Sequence, residues 1–115
     1  MEIEIIKKPI SRDELQKIAK EQFGDLVKVV VDVRQQIMAV GGELHADGET
    51  ALMEKENSQR EDTWGINLYS EKTGAGWLEF DSMINLKPAQ GNRSRGVESP
   101  QIQSKIKKIV DKLIS

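Results

Sequence analysis

From Leu26 to Val40 the chain is built from β-branched residues on a period of two. Val27, Val29, Val31 and Val33 alternate with Lys28, Asp32 and Arg34, and only Val30 breaks the order. Successive side chains of a strand point to opposite faces, whereas a helix repeats about every 3.6 residues, so this run reads as strand. Branching at Cβ stiffens χ1 and lowers helix propensity, which reinforces that reading. Arg34-Gln35-Gln36 supplies a hairpin connection into a second strand, Ile37 to Val40, closed by Gly41-Gly42. A helix continuing through Gln35 is the competing reading, because no strong turn pair is present.

Two amphipathic helices bracket the strands. Ser11-Arg12-Asp13-Glu14 is a capping box, in which the Ser11 hydroxyl accepts from the Glu14 amide and the Glu14 carboxylate reaches back. Leu15, Ile18, Ala19 and Phe23 then form a helical stripe that ends at Gly24, a left-handed stop. Near the other end, Ser99-Pro100 pairs an N-cap with proline at the first helical position. Ile102, Ile106, Ile109, Val110 and Leu113 make the apolar stripe of that helix, and Gln101, Lys105, Lys108 and Lys112 line its far side. Glu2 to Ile6 alternates as a short strand ahead of Pro9. Thr50 to Lys55, Thr63 to Tyr69 and Trp77 to Leu86 read as three more strands. Short glycine-containing connections favour antiparallel neighbours, since parallel ones need long crossovers. The fold expected for residues 1–115 is one α+β domain. An antiparallel or mixed sheet of five to six strands carries two amphipathic helices packed on one face.

Composition narrows the function classes. The 115 residues are 37% apolar and 31% charged with mean hydropathy −0.51, a globular balance. Cysteine is absent, which removes disulfides, thiolate zinc sites and cysteine nucleophiles. No apolar run reaches membrane-spanning length and the opening residues are acidic, so a cytoplasmic protein without a membrane partner is expected. Net charge is −2, which gives no global drive toward nucleic acid. The charge is unevenly spread, however: residues 24–86 carry a net −7 and residues 87–115 a net +5. Either the two halves face each other in the fold, or the asymmetry drives docking or homo-oligomer formation.

Three segments could hold chemistry. In Gly91-Asn92-Arg93-Ser94-Arg95-Gly96, two arginines bracket a serine just ahead of the last helix. Guanidinium forks, loop amides and a helix N-terminus suit a phosphate- or carboxylate-bearing small molecule. Asn92, Arg93, Ser94, Arg95 and Ser99, with Lys87 beside them, are the expected ligand-binding residues. The spacing matches neither the P-loop nor the dinucleotide fingerprint. Glu43, His45, Asp47 and Glu49 fall at alternate positions, so an extended chain would project all four to one side and could hold a divalent metal as cofactor. Flanking carboxylates would also keep the His45 proton to higher pH. A solvated acidic turn is the plainer reading of the same run.

Glu79 and Asp81, on one face of the predicted last strand, would join His45 and Asp47 as catalytic residues of a metal-assisted hydrolase or phosphoryl-transfer enzyme. Trp64 and Trp77 read as sheet packing. Lys105, Lys107, Lys108 and Lys112 read as a solvated helix face; no aromatics interleave for RNA binding by stacking, and duplex binding through shape and phosphates is the alternative. A structural or regulatory protein–protein interaction domain, with no small ligand, is the remaining alternative.

The runs Gly41-Gly42-Glu43-Leu44-His45-Ala46-Asp47, Trp64-Gly65-Ile66-Asn67, Glu79-Phe80-Asp81-Ser82-Met83-Ile84-Asn85 and Gly91 to Glu98 together resemble a family of short prokaryotic proteins of unknown function. The resemblance spans most of the chain and attaches no activity to it. It draws attention to His45, Asp47, Asn85, Asn92, Arg93 and Arg95 as parts of a shared pattern.

Overall fold

A computed structural model describes residues 2–115. Its strands are β1 (Ile3–Ile6), β2 (Leu26–Asp32), β3 (Ile37–Gly41), β4 (Thr63–Tyr69) and β5 (Leu78–Glu79). They form one sheet in the order β1-β3-β2-β4-β5, and every neighbouring pair is antiparallel. The helices are α1 (Arg12–Glu21), α2 (His45–Glu56) and α3 (Pro100–Leu113). The class is α+β, as expected, with three helices rather than two. No helix among the described residues is long and apolar enough to cross a membrane.

The valine alternation sets the layers. Val27, Val29 and Val31 point into the larger core with Met38, Val40, Ile66 and Leu68. Leu15 and Ala19 of α1 belong to that core, as do Ile106, Ile109, Val110 and Leu113 of α3. Val30 faces the other way, with Ala39 and Leu52 of α2. The sheet is therefore covered on both sides. Phe23, read as the end of the α1 stripe, is 42% exposed and lies under the Lys28 ammonium instead.

The hairpin without a turn pair is closed by a side chain. Asp32, buried at the end of β2, accepts from the amides of Arg34 and Gln35 at 2.9 Å each and from the Ser58 hydroxyl at 2.6 Å. Gln36 then takes the left-handed region at φ 59°.

Two strand expectations fail. Residues 45–56 form helix α2, not an extended acidic run followed by a strand over 50–55. Its sheet-facing residues are His45, Gly48, Glu49 and Leu52, a helical spacing in which three of four are not hydrophobic. Gly48 permits the approach: a Cβ there would lie 3.0 Å from Val30 Cγ2 and 3.5 Å from the Ala39 Cβ. The expected strand over 77–86 pairs only at Leu78–Glu79 and then leaves the sheet for a single 3-10 turn over Met83–Asn85. Extending its register would set Asp81 opposite Gly65. The Asn85 side chain takes that place, with Oδ1 accepting from the Gly65 amide at 2.8 Å and Nδ2 donating to the Gly65 carbonyl at 2.9 Å.

Candidate functional site

The loop between Asn85 and α3 is built on two buried asparagines. Asn85 Nδ2 also donates to the Arg95 carbonyl at 2.8 Å, and Ser82 N donates to the same oxygen at 2.9 Å. Asn92 Nδ2 donates to the carbonyls of Asn85 and Gly96 at 2.7 and 2.8 Å, with a longer contact to Ser94 at 3.2 Å. Its Oδ1 accepts from the Glu98 amide at 2.8 Å. Asn92 is 4% exposed and its polar atoms are matched inside the loop, so it braces the segment from beneath. This follows from the loop's lack of regular backbone pairing: buried backbone groups must find partners, and the two amides supply them.

The loop amides already hold an anion, and it belongs to the chain. Glu98 Oε2 accepts from the Arg93 amide at 2.7 Å. That bond, the Ser94 hydroxyl and amide, and the Arg93 charge hold Glu98 below the usual carboxylate range. Arg93 is exposed and has no carboxylate within ion-pair distance among the described residues. Arg95 Nε donates to Asp81 Oδ1 at 2.7 Å, with both side chains substantially in solvent at 56% and 44%. Exposed pairs of this kind contribute about 0–1 kcal/mol, so an incoming anion displaces little.

Ser99 and Lys87 are engaged elsewhere. Ser99 Oγ accepts from the Ile102 amide at 3.3 Å as the cap of α3. Lys87, read as a neighbour of the ligand, is buried and donates Nζ to the Arg60 carbonyl at 2.6 Å. Burial pushes its pKa down against the opposing pull of Glu49.

The acidic run does not converge. Glu43 precedes α2, and the helix turns His45 and Glu49 toward the sheet but not Asp47, so Glu43 and Asp47 are exposed and His45 and Glu49 buried. Glu49 accepts from the Thr63 hydroxyl at 2.7 Å and lies 3.5 Å from Arg60 Nε. Among the described residues, no group of three or more His, Cys, Asp or Glu side chains could hold a metal ion. His45 Nε2 meets the Ile66 carbonyl at 2.8 Å, and since a carbonyl only accepts, that nitrogen carries the proton. Contrary to the expectation of a raised value, burial pushes the His45 pKa down and Lys28 adds to it. The Ile66 carbonyl, Asn67 and Asp81 act against them.

Glu79 and Asp81 do not share a strand face, because β5 ends at Glu79. Glu79 Oε1 accepts from Asn67 Nδ2 at 2.9 Å and from the Tyr69 hydroxyl at 3.2 Å. Asp81 is turned to Arg95. Trp64 is buried in the larger core, whereas Trp77 is only half-buried.

Two features escaped the sequence. A groove of about 450 Å³ on one flank of α3 gathers Arg34 with Lys105, Lys108 and Lys112. The lysine spacing signals that edge, but nothing in the sequence joins it to Arg34. On the other flank of α3 a cavity of about 660 Å³ brings together Arg12, Trp77, Phe80 and Lys107, which are distant in sequence.

The model of a family described as a protein of unknown function (DUF5674) matches residues 4–113. No curated protein and no solved structure matches the chain.

Proposed function

The chain belongs to the DUF5674 family of proteins of unknown function, and from its geometry we propose that it is a binding module for a phosphate- or carboxylate-bearing ligand engaged by Arg93 and Arg95. The observation that carries this reading is the contrast between the loop's backbone and its arginine side chains. Asn85 and Asn92 fix the backbone, while both arginines are exposed and, among the described residues, Arg93 has no carboxylate within ion-pair distance. Rigid support lowers the ordering cost of binding, and planar guanidiniums match carboxylate and phosphate oxygens two at a time. Glu98 fills the amide side, so the ligand meets the arginines and not the loop N–H groups. Ser94, Asn92 and Ser99 serve by holding the loop and the helix start.

Thermal unfolding in increasing inorganic phosphate tests it. A ligand that binds only the native state raises the midpoint by mass action. The expected result is a rise with phosphate that disappears in R93A/R95A, with the variant's own midpoint unchanged in phosphate-free buffer. No rise in the wild-type protein, or an equal rise in the variant, overturns the proposal.

A further inference from the structure

We propose that the cavity between α1, β5 and α3 is a separate ligand site, fitted to a small monoanionic aromatic acid. Its volume, about 660 Å³, lies within the range of small-molecule sites. The Arg12 guanidinium lies 4.0 Å from the centroid of the Trp77 ring. Arg12 is half-buried, yet no carboxylate lies within ion-pair distance of it among the described residues. Packing on the indole holds the guanidinium in place while leaving its N–H donors for an acceptor in the cavity. Lys107 stands 5.9 Å from the centroid of Phe80, has no ion-pair partner among the described residues, and places a second positive charge on the wall.

Trp77, Leu78, Phe80 and Ile114 supply the apolar part of the lining, and Asp111 and Ser115 add polar groups beside the cations. That combination fits a flat hydrophobic body with one acidic group. Asp111 shares the lining and repels a second negative charge, which favours a monoanion over a dianion. None of these residues belongs to the Gly91–Gly96 loop, so this site stands or falls independently of Arg93 and Arg95.

The test uses the full chain labelled with ¹⁵N, whose two tryptophans give two indole N–H signals. Titration with benzoate is expected to move the Trp77 signal saturably and to leave that of Trp64, buried in the core, in place. Acetate, which lacks the ring, and benzyl alcohol, which lacks the charge, should each bind at least about tenfold more weakly. R12M, which keeps an apolar stem over the indole, should abolish the benzoate shift, and K107M should weaken it. R93A/R95A should leave it unchanged. The dispersed spectrum of each variant verifies that it is folded. No saturable shift with benzoate, equal binding of benzyl alcohol, or full retention in both R12M and K107M overturns the proposal.

Discussion

Asn85 gives Gly65, through one side-chain amide, both hydrogen bonds that a neighbouring strand would have supplied. The edge of β4 is thereby sealed where β5 turns away, and the same amide holds the Arg95 carbonyl. Sheet and loop are locked through a single residue.

Asn85→Ala should therefore cost more than a typical substitution. It leaves the Gly65 amide and carbonyl without their partner in a buried setting and takes one of two donors from the Arg95 carbonyl, which keeps the Ser82 amide, for an expected loss of about 2 kcal/mol or more. Urea unfolding with an unchanged m-value reads this directly. A loss below about 0.5 kcal/mol would show that the β4 edge is satisfied in some other way.

Gly65 is required by the close approach of Ser82. A Cβ at position 65 would lie 2.5 Å from Ser82 Cβ and 2.5 Å from its Oγ, with His45 Cδ2 at 3.1 Å. Gly65→Ala is expected to destabilise by about 1–3 kcal/mol through overpacking. Adding Ser82→Gly should recover part of that loss. Simple additivity in the double-mutant cycle would mean that the two residues do not crowd each other.

Acid should weaken the fold in two stages. The buried His45 has its pKa pushed down, chiefly by burial. As pH falls below about 6.5, the unfolded chain takes up a proton that the folded one refuses, so stability declines until the folded value is reached. Burial alone would raise the Asp32 carboxyl, but hydrogen bonds from Ser58, Gln35 and Arg34 together hold it below the usual range. Its contribution is complete above about pH 3.9 and is lost as pH falls through the lower folded value. Urea titrations across this range should show the upper slope flattened in His45→Gln and the lower one reduced in Asp32→Asn. An unaltered upper slope in His45→Gln would assign that decline to other groups.

Glu98 competes electrostatically with any anion at the Arg93/Arg95 face. Glu98→Gln keeps an oxygen for the Arg93 amide while removing the charge, so phosphate affinity should rise by about threefold, measured by calorimetry. An unchanged affinity at low salt would place the bound phosphate away from the loop.

The valine periodicity made the central hairpin legible, and the Ser11 and Ser99 caps did the same for α1 and α3, because those signals are local. Helix α2 was not legible because its sheet-facing side holds His45, Gly48 and Glu49, whose burial depends on Ile66, Val30 and Thr63 far along the chain. The pattern of polar residues that marked the family was visible, but its meaning was not. Asn85 and Asn92 look like ligand contacts until their carbonyl partners are known. Arg93 and Arg95 were named from the sequence; that the Glu98 carboxylate takes the Arg93 amide was not, since a loop's path is not written in its composition. The pairing of Arg12 with Trp77 had no sequence signal at all.

The most direct measurement is an inorganic phosphate titration followed through the arginine side-chain N–H signals and the backbone amides of the ¹⁵N-labelled chain. Saturable shifts of the Arg93 and Arg95 side-chain signals, with the amides of Lys105, Lys108 and Lys112 nearly still, are predicted. Shifts confined to those three lysines and Arg34, with both loop arginines unmoved, would contradict the assignment of the anion to the loop.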